Sequence, residues 1–146
     1  NKAKNTVSVI AMNSSSMEDV KSLEGAKLGV LTNIGKESTQ KSLKDIKKNK
    51  VTYTKSDYDN VPSLIKALYD GEVDAVVLNE AYRSNVCDIE EYANFNNETK
   101  VIWKFRLLPQ FLRLVPFYID SLQILYMQHL LFEIVFLPTM HKIFHS

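Results

Sequence analysis

Two polar turns carry the side chains best suited to bind a small ligand. Thr32, Asn33 and Gly35 follow an apolar run at 27–31, and Asn79, Glu80 and Tyr82 follow another at 73–78. Open α/β sheets place their ligands at the carboxyl ends of such strands. Each residue also has a structural alternative, because Asn and Gly suit tight turns and Asn suits a helix N-cap. We therefore treat these six residues as the candidate ligand-binding site.

The sequence predicts no catalytic residue. The three histidines, His129, His141 and His145, lie in the C-terminal region, away from any serine or cysteine in a nucleophile context. His141 and His145 could share one helix face, but no third ligand accompanies them, and metal sites need three or four. The sequence has neither a phosphate-binding loop nor a dinucleotide-binding glycine motif. We expect no metal, no cofactor and no enzymatic activity from this chain.

Charge and cysteine content exclude further classes of function. The 18 basic and 17 acidic residues leave a net charge of +1, whereas nucleic-acid binders usually carry a basic excess. We therefore expect no nucleic-acid partner. Cys87 is the only cysteine, so no intrachain disulfide forms. Three acidic neighbours disfavour a reactive thiolate there.

Alternating apolar runs and amphipathic stretches predict an α/β fold that positions the two turns. We expect strands at 6–12, 27–31, 51–54, 73–78 and 101–105, with helices at 38–48, 62–70 and 81–95. The 73–78 run, VDAVVL, is typical of a strand covered on both faces. The predicted domain is small and three-layered, with a mainly parallel sheet of four to five strands. The first strand should lie near an edge and pair with the last.

Sequence character changes near Arg106. Residues 106–146 contain three basic and two acidic residues, no glycine and three of the four prolines. We therefore expect two parts: an α/β domain at 5–105 and a hydrophobic, helical C-terminal tail at 106–146.

Three interpretations of this tail stay open. It could be a frameshifted reading of a missing domain, which would pack poorly. It could be a membrane-surface segment, since the apolar span at 122–137 is interrupted by Gln123, Gln128, His129 and Glu133, which disfavours a spanning helix. It could also be one helix, at about 118–136, that packs on the sheet between the prolines at 116 and 138.

Most of the chain resembles a bacterial cell-envelope family. The segments SVIAMNSSSMEDVKSLEGAKLGV, SLIKALYDGEVDAVVLNEAYRS and TKVIWKF resemble the accessory domain of streptococcal-type LytR-CpsA-Psr proteins. The resemblance implies a fragment of a protein that makes or attaches capsular polysaccharide or cell-wall glycopolymer, truncated before its phosphotransferase domain. It also implies a place on the extracellular face of the bacterial membrane. The implied partners are capsule or cell-wall assembly proteins, an anionic glycopolymer, and the membrane, through a missing N-terminal anchor or the apolar tail.

A second resemblance implies a different function. The pair LEGAKLGV and LYDGEVDAVVLNE is similar to one lobe of type II periplasmic solute-binding proteins. In that family an acidic residue commonly ends the strand and grips a ligand amine, whereas this chain has Asn79 there. The alternative function is therefore a small-molecule binding lobe. A structural module that docks a partner is a third hypothesis.

Overall fold

The computed structural model describes residues 6–108 and 122–134. The chain divides into two units, Asn1–Leu107 and Leu108–Ser146. The first unit contains a five-stranded sheet with helices. The second contains one described helix, α5, at 122–134.

The sheet of the first unit is mixed. Its strands are β1 (Thr6–Met12), β2 (Lys27–Leu31), β3 (Thr54–Tyr58), β4 (Ala75–Asn79) and β5 (Thr99–Arg106). They lie in the order β3-β2-β4-β1-β5. The pairings β2–β3 and β2–β4 are parallel, and the pairings β1–β4 and β1–β5 are antiparallel. The predicted α/β class is confirmed, but only two of the four pairings are parallel.

Helices cover both faces of this sheet, which confirms the three-layer arrangement. The α-helices of the unit are α1 (Lys36–Lys47), α2 (Val61–Tyr69), α3 (Arg83–Cys87) and α4 (Phe95–Glu98). One core cluster contains Ile46 of α1, and the other contains Leu64 and Leu68 of α2. Alternate residues of β4 enter the two clusters, so its apolar run is buried on both sides, as predicted.

Gly29 allows α2 to lie close to the sheet. A Cβ at this position would be 2.9 Å from Cδ1 of Leu64. Real Cβ atoms essentially never come that close, so the Leu64 side chain would have to move to admit a larger residue.

One strand prediction was wrong and another was confirmed. β1 is second from the β5 edge of the sheet and pairs with β5, as expected. The third strand is Thr54–Tyr58, whereas we predicted 51–54 followed by a polar loop. As an edge strand β3 leaves most of its side chains at least partly exposed, so its sequence TKSDY lacks the apolar pattern of a buried strand.

The predicted helix at 81–95 is interrupted. A 3-10 turn at Glu80–Tyr82 leads into α3, and a second one at Glu90–Tyr92 precedes α4. The backbone of Ile89 is extended, with φ −81° and ψ 119°, and this ends the helical path. Val86, Tyr92 and Phe95 reach the same core from separate short segments. Their helix-like spacing therefore reflects a shared core and not one continuous helix.

The helix α5 exposes its apolar side chains. Its large exposed side chains are those of Leu122, Ile124, Leu125, Tyr126, Met127, Leu131, Phe132 and Ile134. Nε2 of His129 lies 3.1 Å from Oε1 of Glu133 one turn later. Among residues 6–108 and 122–134, no helix is both long and apolar enough to cross a bilayer. The ends of the predicted 118–136 helix, the prolines that bound it, His141 and His145 lie outside the described residues.

Candidate functional site

The two polar turns meet at one edge of the sheet. β2 and β4 are parallel neighbours, with Leu28 opposite Ala75 and Gly29 opposite Val76, so their carboxyl ends lie side by side. A Cβ on Gly35 would lie 3.6 Å from the hydroxyl oxygen of Tyr82. The structure therefore brings together the two sets of candidate residues that the sequence keeps more than 40 positions apart.

The turn after β2 is tied to the neighbouring edge strand. The backbone N–H of Thr32 donates to the carbonyl oxygen of Tyr58 over 3.0 Å, and its hydroxyl donates to the same oxygen over 3.3 Å. The amide Nδ2 of Asn33 donates to Oδ1 of Asp59 over 3.2 Å, at an exposed position. These contacts fix where β2 ends.

The helix α1 that follows this turn begins without a side-chain cap. Gly35 is its N-cap residue, with φ +60°, and no side chain of the described residues caps the helix there. The first backbone N–H groups of a helix have no partner within the helix, and they carry its partial positive charge. The edge of the sheet therefore faces an uncapped positive helix end.

Asn79 closes β4 and begins the second turn. Its Oδ1 accepts a hydrogen bond from the backbone N–H of Ala81 over 2.9 Å, the capping role that the sequence offered as an alternative. Its Nδ2 has no hydrogen-bond partner among the described residues. Asn79 therefore caps the turn with one atom and leaves a free donor at the sheet edge.

Glu80 is engaged by other side chains. Its carboxylate accepts from the Ser8 hydroxyl over 2.5 Å and from Nε and Nη2 of Arg83 over 2.6 and 2.8 Å. The side chain is only 16% exposed. Burial raises the pKa of this carboxyl, but the hydrogen bonds and charge of Arg83 and the Ser8 hydroxyl outweigh it and hold the pKa below its ordinary value. Glu80 therefore holds the second turn in place.

Arg83 extends this network toward α4. Its Nη1 donates to Oδ1 of Asn96 over 2.9 Å, and its guanidinium carbon lies 5.5 Å from the centre of the Phe95 ring. The sequence analysis named neither Arg83 nor Ser8. The i, i+3 spacing of Glu80 and Arg83 could have predicted their ion pair. No sequence pattern could have predicted the hydrogen bond from Ser8, which is far from Glu80 in the chain.

A cavity of about 260 Å³ lies beside the first turn. Its lining includes two candidate residues, Thr32 and Asn33, together with Lys36, Thr39 and Lys55, which the sequence analysis did not select. Among the described residues, no three side chains of His, Cys, Asp or Glu lie close enough to hold a metal ion.

Solved structures that are similar to this fold include solute-binding proteins. One is an arginine transport-system periplasmic binding protein from Legionella pneumophila (TM-score 0.54, 19% identity), which matches over 71% of this chain and 44% of its own. Another is the second substrate-binding domain of a putative amino acid ABC transporter from Streptococcus pneumoniae (TM-score 0.52, 17% identity), which matches over 70% of this chain and 43% of its own. A third is the periplasmic aliphatic sulphonate-binding protein of Escherichia coli (TM-score 0.50, 19% identity), which matches over 71% of this chain and 33% of its own.

These matches share a fold with this chain. The chain spans less than half of the length of each of the three structures. No protein-family profile and no curated protein matches the sequence.

The resemblance to LytR-CpsA-Psr proteins, and the capsule or cell-wall function that it implied, was wrong. The three solved structures named above are amino-acid and sulphonate-binding proteins, and none of the comparisons supports the envelope family. The segments that suggested that family are the strands and helices of this fold: GEVDAVVLNE spans the turn into β4 and its carboxyl end. The likeness to a solute-binding lobe is the part of the sequence interpretation that the structure supports.

Proposed function

We propose that the α/β unit is one lobe of a solute-binding protein and that it binds a small polar solute at the carboxyl edge of β2 and β4. The proposal rests on the observation that the two turns lie next to each other at this edge. Thr32, Asn33 and Gly35 supply one side of the site, and Asn79 and Tyr82 supply the other. Glu80 serves as the support of the second turn.

The groups at this edge favour a ligand that accepts hydrogen bonds. Nδ2 of Asn79 is a free donor, and the uncapped start of α1 presents further donors and a positive partial charge. The Glu80 carboxylate, the acidic group nearest to Asn79 in the chain, is already bound by Arg83 and Ser8. A carboxylate or sulfonate group suits this site better than an ammonium group.

This preference separates the chain from the solute-binding proteins that its sequence resembles. In those proteins an acidic residue commonly ends the strand and holds the amine of the ligand, and Asn79 cannot supply that charge. Aliphatic sulfonates and carboxylates are therefore the first solutes to test, with amino acids next.

The proposal also implies a location and a partner. A solute-binding lobe of this kind works outside the cytoplasmic membrane and delivers its solute to the membrane subunits of an ABC transporter. The similarity to domains of amino acid ABC transporters supports this part of the proposal.

The test is a ligand panel on the full chain, read by thermal shift and then by calorimetry. We expect at least one aliphatic sulfonate or carboxylate to raise the melting temperature, because a ligand that binds only the folded state stabilises it. Aliphatic amines of matched length should have no effect. No response to any member of a broad panel that includes amino acids would contradict the proposal.

Variants at the strand end sharpen this test. Asn79→Ala should weaken binding, and Asn79→Asp should abolish binding of the anionic solute by charge repulsion. Asn49→Ala is the matched control, because Nδ2 of Asn49 bonds to backbone carbonyls at the far end of α1. Equal affinities of all four proteins would place the ligand elsewhere and refute the assignment of this edge.

A further inference from the structure

The cavity beside α1 has a chemistry of its own. It lies between the end of β2, the first two turns of α1 and the edge strand β3. Its lining is Val30, Leu31, Thr32, Asn33, Lys36, Thr39, Gln40, Leu43 and Lys55. This set contains no acidic side chain, and Asn79, Glu80 and Tyr82 are absent from it. The cavity therefore shares Thr32 and Asn33 with the first turn but includes no residue of the second turn.

Thr39 carries a nearly buried hydroxyl that bonds to no described residue. The residue is only 8% exposed and lines the cavity. Its backbone N–H bonds to the carbonyl oxygen of Gly35, but its side-chain hydroxyl makes no hydrogen bond to any described residue. Ser42, one turn away on the same helix, shows the usual arrangement, with its hydroxyl donating to the carbonyl oxygen of Ser38 over 2.7 Å.

The Thr39 hydroxyl is not fully buried. No fully buried side-chain polar atom of the described residues lacks a hydrogen bond, so this unbonded hydroxyl keeps a small exposure, and Thr39 is one of the residues that line the cavity. A nearly buried hydroxyl that is unbonded in the protein is costly unless another molecule supplies the bond.

Two lysines give the cavity a positive charge. Lys36 begins α1, and its ammonium group forms no ion pair with any described residue. Lys55 lies across the cavity on β3, and its Nζ is 3.4 Å from Oδ1 of Asp57. Asp57 offsets part of the Lys55 charge, so Lys36 provides the uncompensated cation. The amide of Gln40 adds a polar group that can donate.

We propose that this cavity is a binding site for a small oxyanion, such as phosphate, sulfate or a carboxylate group. Thr39 donates its hydroxyl to the anion, and Lys36 and Lys55 neutralise its charge. The uncapped start of α1 adds a favourable electrostatic contribution. This site goes beyond the proposed solute site at the β2–β4 edge: it shares Thr32 and Asn33 with that site but does not involve Asn79 or Tyr82.

The test is a titration of the full chain with inorganic phosphate at constant ionic strength, in which amide chemical shifts report binding. We expect saturable shifts that centre on Lys36, Thr39, Gln40 and the side-chain amide of Asn33. Sulfate and acetate should compete for the same site. Shifts that never saturate, or that spread evenly over all surface lysines, would overturn the proposal.

Variants of Thr39 decide whether the hydroxyl takes part. Thr39→Val keeps the shape and removes the donor, so it should weaken phosphate binding about tenfold, as expected for a hydrogen bond to a charged group. Thr39→Ser keeps the hydroxyl and should restore most of the affinity. Equal affinity of the wild type and Thr39→Val, with both folded, would refute the site.

Two lysine variants and one variant of Asn79 complete the test. Lys36→Gln should weaken phosphate binding, whereas Lys41→Gln, on the same helix but outside the cavity and paired with Glu37, should not. Asn79→Ala should leave phosphate binding unchanged. A chain that binds phosphate but no solute from the panel would refute only the proposed function. A chain that binds a solute through Asn79 but no phosphate would refute only the cavity site.

Discussion

The turn after β2 and the turn after β4 end neighbouring parallel strands, yet the protein holds them in different ways. In the second turn the Glu80 carboxylate is bound by Ser8 and Arg83, and Arg83 in turn contacts Asn96 and the Phe95 ring. In the first turn the Asn33 side chain makes one exposed bond to Asp59, and α1 starts uncapped at Gly35. Polar residues at one sheet edge can therefore be fixed supports, whose side chains are bonded within the protein, or open groups, whose side chains remain exposed.

Burial explains this difference. The Glu80 and Arg83 side chains are 16% and 22% exposed, so each needs the other to offset its desolvation. An exposed residue such as Asn33 can exchange its protein partner for water at little cost. We therefore expect substitutions in the second turn to affect stability most, and substitutions in the first turn to affect it least.

The largest expected effect is that of Arg83→Ala. Removing the guanidinium leaves the Glu80 carboxylate largely buried without its main partner, which should lower the free energy of unfolding by about 2–3 kcal/mol. Urea denaturation followed by circular dichroism measures this. Lys66→Ala is the control, because its ion pair with Asp70 is exposed, and it should lower the free energy of unfolding far less than Arg83→Ala. Equal losses in the two variants would show that burial does not make the Glu80–Arg83 pair more important than an exposed ion pair.

The same ion pair predicts an acid-sensitive contribution to stability. Because the folded state lowers the pKa of Glu80, its ionised form stabilises the fold above the ordinary value of 4.5, and this contribution is lost as the pH falls through the lower folded value. The difference in the free energy of unfolding between the wild type and Glu80→Gln should therefore shrink at acidic pH. A difference that stays constant from neutral to acidic pH would show that ionised Glu80 does not support the second turn.

Sequence patterns predicted the elements whose side chains enter the core. The strands at 6–12 and 27–31 agree with β1 and β2, because their apolar residues are buried. Gly71, the residue directly after the predicted 62–70 helix, ends the helical region of α2 with φ +76°. The two turns also lie where the apolar runs stop, which is why their residues could be selected from the sequence.

Features that depend on distant residues could not be predicted in this way. Strand direction leaves no local pattern, so the antiparallel pairings of β1 were missed. Edge exposure hid β3, since polar side chains suffice on a strand that borders water. The bond from Ser8 to Glu80 spans 72 positions, so the role of Glu80 as a support became visible only in the folded chain.

Gly35→Ala tests the geometry of the first turn, with a smaller expected effect than Arg83→Ala. Gly35 has φ +60°, where a Cβ costs about 1 kcal/mol, and the new atom would lie 3.2 Å from the Ser38 hydroxyl oxygen. We expect a loss of about 1–2 kcal/mol in the free energy of unfolding, measured by urea denaturation. Gly35→Asn is the matched control, since Asn tolerates this backbone conformation and should lose less. An equal loss in both variants would point to crowding and not to backbone strain.

The smallest effects separate the two asparagines of the site. Asn79→Ala removes the acceptor for the Ala81 N–H and should cost about 1 kcal/mol, as the loss of a helix cap does. Asn33→Ala removes one exposed bond to Asp59 and should change stability by no more than about 0.5 kcal/mol. Thermal and urea denaturation of the two variants, measured side by side, test this order. If Asn33→Ala proved the more damaging, the first turn would be the fixed support and the second the open one.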